Sequence, residues 1–172
     1  MKIYDITKCL SGNVLGIGVD QKITQILEQN DRVLNCNLLN SEISTPTKGK
    51  KERQKKISVK KIRKKFKKKN IDYIICNIEE MKKYQKTLIR DSVYINKDIL
   101  YIYNIKDEEL KEELIKKYKR YNTKIEEIKD KDTRILKIDN KKSKTNKLKD
   151  IKYSIVDTLI SLFNIISDLL LN

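Results

Sequence analysis

The sequence is 172 residues long, the size of one domain with appendages, and carries a formal net charge of +16. It contains no His, Trp or Ala. The missing His excludes Ser-His and Cys-His nucleophile pairs, histidine metal ligands and histidine general bases. The 34 Lys, 27 Ile, 14 Asn and 9 Tyr make up almost half the chain. Their codons are dominated by A and T, so base-composition drift, as in an AT-rich bacterium, accounts for part of the lysine content. Cys9, Cys36 and Cys76 form no CxxC pair, so no zinc or other metal site is expected, and the thiols read as reduced in a cytoplasmic protein. No uncharged apolar run of about 18 residues occurs, and Met1–Asp5 lack the apolar core of a signal peptide.

In chain order, Asn13–Val19 is a short apolar run closing on glycine, the pattern of a buried strand. Residues 21–30 follow with Ile23, Ile26 and Leu27 on one helical face, and 32–37 predict a second strand around Val33, Leu34 and Cys36. Residues 44–56 read as a basic loop. Val59, Ile62 and Phe66 then recur at helical spacing, predicting a helix over 59–69 with Ser58 as its N-cap. Ile71–Asn77 predicts a third strand, about 78–93 a helix with Ile78, Met81 and Leu88 inward, and Asp98–Asn104 a fourth strand. The helix over 107–121 opens on Asp107, Glu108 and Glu109, which favour the positive end of its dipole, and places Leu110, Leu114, Tyr118 and Tyr121 on one face. Residues 123–129 and 133–139 alternate as two strands of a hairpin. Strands alternating with helices predict an α/β, Rossmann-like fold over residues 1–140: a mostly parallel sheet, helices on both faces and an antiparallel edge hairpin.

The charge is not spread evenly. Residues 1–47 sum to −1 and residues 70–140 to +1, whereas residues 48–69 hold 14 basic groups against Glu52 alone, a net of +13. Drift would distribute lysine along the chain and does not explain this cluster. The expected helix shows Lys60, Lys61, Arg63, Lys64, Lys65, Lys67 and Lys68 to solvent, a candidate phosphate-binding surface for nucleic acid, RNA before DNA.

Gly12, Gly16 and Gly18 fall within seven residues at the first strand, where glycine lets backbone approach an anion ahead of a helix. Glycine for tight strand–helix packing is the equally weighted alternative. This turn and the element order after it resemble the class I S-adenosylmethionine-dependent methyltransferases over roughly residues 10–140. The family loop reads apolar-apolar-acid-apolar-Gly-x-Gly-x-Gly. Here Gly18 matches the first glycine, Gly16 replaces the acid, Asp20 the second glycine and Lys22 the third. The family's ribose-binding acid after the second strand has Asn37 as its nearest match. The resemblance thus implies Gly16, Gly18, Asp20 and Asn37 as the S-adenosylmethionine site. It also implies Asn77, which keeps the first residue of the Asn/Asp-Pro-Pro-aromatic motif, as a candidate beside the methyl acceptor. Between Asn37 and Ile71 the family's usual helix, strand and helix have no counterpart beyond a remnant at Lys56–Ser58.

Residues 141–150 are a polar linker of net +4, and 151–172 predict an amphipathic helix with Ile155, Leu159, Leu162, Ile166 and Leu169 on one stripe. That stripe suits docking on the protein's own sheet or on a second copy, weighed equally. Three functions remain open: a methyltransferase-like protein with a decayed cofactor site that binds nucleic acid, a working methyltransferase, and a non-catalytic assembly protein using the last helix.

Overall fold

The computed structural model describes residues 2–39, 62–130 and 133–141. The expected loop over 44–56, Lys56–Ser58, Val59, Lys60, Lys61, the linker beyond Lys141 and the stripe of Ile155, Leu159, Leu162, Ile166 and Leu169 lie outside those residues.

The elements are α1 (Ile3–Lys8), β1 (Gly12–Ile17), α2 (Gln21–Gln29), β2 (Val33–Leu39), α3 (Ile62–Lys65), β3 (Ile71–Asn77), α4 (Ile78–Ile95), β4 (Asn96–Ile105), α5 (Glu108–Lys119), β5 (Lys124–Asp130) and β6 (Thr133–Asp139). The strands form one sheet in the order β2-β1-β3-β4-β6-β5. β2, β1, β3 and β4 are mutually parallel, and the β5/β6 hairpin joins β4 antiparallel. This is the expected α/β arrangement; its four parallel strands fall on the four segments read from the sequence, with β1 closing at Ile17 rather than Val19 and β2 opening at Val33.

Central parallel strands are covered on both faces, which requires near-continuous apolar runs. Val14, Leu15, Ile17, Ile74, Ile75 and Cys76 are accordingly at most 1% exposed. Alternate residues point to opposite faces. Leu15, Ile74, Leu100 and Leu136 pack with Phe66, Leu88, Leu114 and Tyr118 from the α3, α4 and α5 side. Val14, Ile75, Tyr101 and Ile135 pack with Ile3, Ile6, Ile23 and Leu27 from α1 and α2.

Four differences from the sequence reading have local causes. Helix α1 was not expected, yet Ile3, Ile6, Thr7 and Leu10 recur at helical spacing, and all are buried. Thr7 Oγ1 donates to Ile3 O at 2.8 Å, and the Asp5 carboxylate accepts the Lys2 N–H at 3.3 Å. Strand β2 continues past Asn37 to Leu39 because Leu38 and Leu39 pair with Gly16 and Ile17. Strand β4 starts at Asn96, directly after α4, because the Asn96 amide bridges to the carbonyls of Asp72 and Ile99 at 3.1 and 3.2 Å. The expected helix over 59–69 is helical only at Ile62–Lys65 among its described residues. Past Lys65 the chain leaves the helix for a turn in which Lys69 adopts φ 54°, a left-handed conformation costly for lysine, with its N–H bonded to Tyr94 O at 3.1 Å. Ile62 and Phe66 are buried as expected, at 1% and 6%.

Candidate functional site

In open α/β sheets, ligands favour the crevice outside the carboxyl ends of the strands where the strand order reverses. Here that point lies between β1, whose chain leads outward to β2, and β3. Gly18, Asp20, Asn77, Glu80 and Tyr103 gather there. Gly18 has φ 60°, which favours glycine, and a Cβ on it would overlap Glu80 Cγ of α4. The space that glycine opens is therefore taken by the protein's own side chain. A Cβ on Gly16 would stand 2.9 Å from Leu38 Cδ2 and 3.0 Å from Val19 Cγ2, so this glycine also serves packing.

The polar groups of the crevice are committed to local structure. Asp20 is the N-cap of α2: its carboxylate accepts the Ile23 N–H at 2.8 Å and the Tyr4 hydroxyl at 3.4 Å. Asn77 caps α4, its Oδ1 accepting the Glu79 N–H at 3.1 Å while Nδ2 reaches the Tyr103 hydroxyl at 3.5 Å. Tyr103, 2% exposed, closes the crevice from β4. Burial, and secondarily the Asp20 charge, hold its phenol well above the ordinary tyrosine value. It stays protonated at neutral pH.

Asn37 lies inside β2, paired with Leu15 rather than following the strand, and its Oδ1 accepts from Lys65 Nζ at 3.4 Å. The position after the strand is Asn40, outside the described residues. Of the four residues the resemblance assigns to the cofactor, only Gly18 and Asp20 reach the crevice, one covered by Glu80 and the other capping a helix. This arrangement does not fit S-adenosylmethionine. A hollow of about 410 Å³ opens at the carboxyl ends of β3 and β4, lined by Asn77, Glu79, Lys82, Asn104, Lys106 and Asp107. Its acids also have structural partners: Asp107 accepts the Leu110 N–H at 3.1 Å, and Glu79 pairs with Lys82 at 3.4 Å. Among the described residues, no three or more Cys, Asp or Glu are grouped to hold a metal ion. All three cysteines are free, and burial pushes the Cys36 thiol up to about 11.

The basic segment is anchored differently from expectation. Arg63 is not a free solvent-facing group. Its guanidinium stacks 4.2 Å from the centre of the Tyr94 ring, and Nε lies 3.7 Å from Asp91, which is 2% exposed and also holds Arg90 Nε at 3.0 Å. Arg63 thus fastens α3 to α4. Lys65, Lys67 and Lys68 are exposed as expected, while Lys64 lies in α3. Lys69 Nζ donates to Val93 O at 3.3 Å and Asn140 O at 3.2 Å, and desolvation lowers its pKa.

Two exposed lysines on the same edge, Lys97 and Lys141, were missed. The signal was available: once the strands are taken as parallel, residues just before β3, just before or opening β4 and just after an antiparallel β6 share one edge. A scan against models of known protein families gives no match, and neither does a search of curated proteins. Among the described residues, no helix is long and apolar enough to cross a membrane.

Proposed function

We propose that this chain binds nucleic acid, RNA before DNA, through its basic segment, on a methyltransferase-like scaffold whose cofactor crevice is filled. The observation that carries the reading is the charge distribution: +13 over residues 48–69 against −1 and +1 in the regions on either side. The anchoring supports it. Ile62, Phe66 and Arg63 hold the end of the segment against α4 and leave Lys65, Lys67 and Lys68 open to solvent. A polyanion is the partner that such a field attracts, since the Debye length of about 8 Å lets neighbouring charges act together. Phe66, the segment's one aromatic residue, is buried, so base stacking contributes little and sequence preference is weak. The element order and the hairpin beside β4 support the methyltransferase-like reading of the scaffold. The covered Gly18 and the helix-capping Asp20 favour a decayed site over a working one.

The test is fluorescence anisotropy with oligo(U) and oligo(dT) across a salt series. With about five lysines on phosphates, log affinity falls against log salt with a slope of about −3.5 on single strands. Replacing Lys60, Lys61, Lys64, Lys65, Lys67 and Lys68 by Gln flattens that slope and weakens all sequences alike. Undetectable binding of the unaltered chain at low salt, or binding indifferent to those replacements, refutes the proposal. Calorimetric titration with S-adenosylmethionine separates the alternative: no heat of binding is expected, whereas tight one-to-one binding favours a working methyltransferase.

A further inference from the structure

The topology brings a second set of cations beside the first. β3 and β4 are parallel and begin at one edge of the sheet, and β6, antiparallel to β4, ends there. Lys69 therefore stands two residues before β3, Lys97 is the second residue of β4, and Lys141 is the second residue after β6. A set of hydrogen bonds fixes this edge. Lys69 Nζ reaches Asn140 O at 3.2 Å, Asn140 N–H reaches Asp98 O at 2.7 Å, and Asn140 Nδ2 reaches Asn96 Oδ1 at 2.8 Å. Asn96 and Asn140 are both fully buried. The point where the chain leaves the 48–69 segment is thus tied directly to the point where the 141–150 segment begins.

The side chains around that tie are open and mostly cationic. Lys67, Lys68, Lys97 and Lys141 are exposed. Three carboxylates share this edge: Asp72 accepts the Asn13 N–H at 2.8 Å and faces Lys97 at 3.5 Å, Asp139 accepts the Lys141 N–H at 2.9 Å, and the Asp98 charge acts on Lys69. Residues 141–150, the stretch of sequence that follows Asn140, carry a net +4.

We infer that the nucleic-acid surface is not confined to residues 48–69 but crosses the sheet's amino-terminal edge, using Lys97 and Lys141 as further phosphate contacts. The inference rests on the nucleic-acid reading above and deepens it. A single strand laid over Lys67 and Lys68 meets Lys97 and Lys141 on the same rigid edge, so the two groups act on one ligand. Phosphate contacts of this kind position a strand without reading its sequence.

The experiment compares two double variants, Lys67→Gln with Lys68→Gln and Lys97→Gln with Lys141→Gln, using labelled oligo(U) in a salt series. Each pair is expected to reduce the magnitude of the slope by about 1.4, the loss of two contacts on a single strand. Circular dichroism on both variants should show unchanged melting, since all four side chains are exposed. If the Lys97/Lys141 variant keeps both the slope and the affinity of the unaltered chain while the Lys67/Lys68 variant loses them, this inference is wrong and the basic-segment reading stands. If the unaltered chain does not bind oligo(U) at all, both fall together.

Discussion

The two ends of the parallel strands have opposite characters. At the carboxyl ends, where folds of this kind ordinarily receive ligands, Glu80 covers Gly18, Asp20 and Asn77 cap helices, and Tyr103 is buried beside them. At the amino ends, Lys67, Lys68, Lys97 and Lys141 stand exposed around a hydrogen-bonded edge. The contrast teaches that a fold's customary binding place and its exposed cations need not coincide. Polar groups at the first cap helices or lie buried, whereas at the second four lysines remain exposed around bonded asparagines and carboxylates.

The largest effect should come from disturbing the filled crevice. Gly18→Ala places a side chain at φ 60° and against Glu80, and is expected to cost about 2–4 kcal/mol of stability. Adding Glu80→Ala should recover the steric share and leave the backbone share, which thermal melting of the single and double variants resolves. Full tolerance of Gly18→Ala would mean that the crevice is open enough for a ligand.

Next in size is Arg63. Because it stacks on Tyr94 and faces buried Asp91, Arg63→Gln is expected to destabilise the fold by about 1–2 kcal/mol, whereas Lys65→Gln leaves melting unchanged. Equal melting for both variants would mean that the contacts to Tyr94 and Asp91 do not anchor Arg63.

The smallest effect is electrostatic and lies away from both ends. Burial alone would raise the Glu113 pKa, but hydrogen bonds from Gln85 and Lys117 overcome it and hold the carboxyl below the ordinary glutamate value. Glu126 is held low chiefly by its hydrogen bond from Lys137. A depressed carboxylate stabilises the folded state above its unfolded pKa and loses that contribution as pH falls through the folded value. Glu113→Gln with Glu126→Gln should therefore flatten the acid limb of melting temperature against pH and change oligo(U) affinity at neutral pH little. A steepened acid limb would contradict the assignment.

Much of the sheet was legible because its strands are buried runs with clear stops: Ile71–Asn77 was read to the residue, and the hairpin to within one. Helix α1 was overlooked because six residues offer barely two turns of periodicity. The site was less legible, since its decisive contacts are distant in sequence. Glu80 lies far along the chain from the glycine it covers, and Asp91 is far from Arg63. Composition marks Arg63 as a cation but cannot say that a buried acid already claims it. Lys97 and Lys141 looked like ordinary surface lysines until the strand directions put them on one edge.

The most direct test of the central claim is amide hydrogen exchange of the full chain with and without saturating oligo(U). The account predicts slowed exchange at residues 65–69, 97–98 and 141, with Gly18, Asp20 and the start of α4 unchanged. Protection at Gly18 and residues 77–80 without protection at the lysine-bearing edge would contradict it.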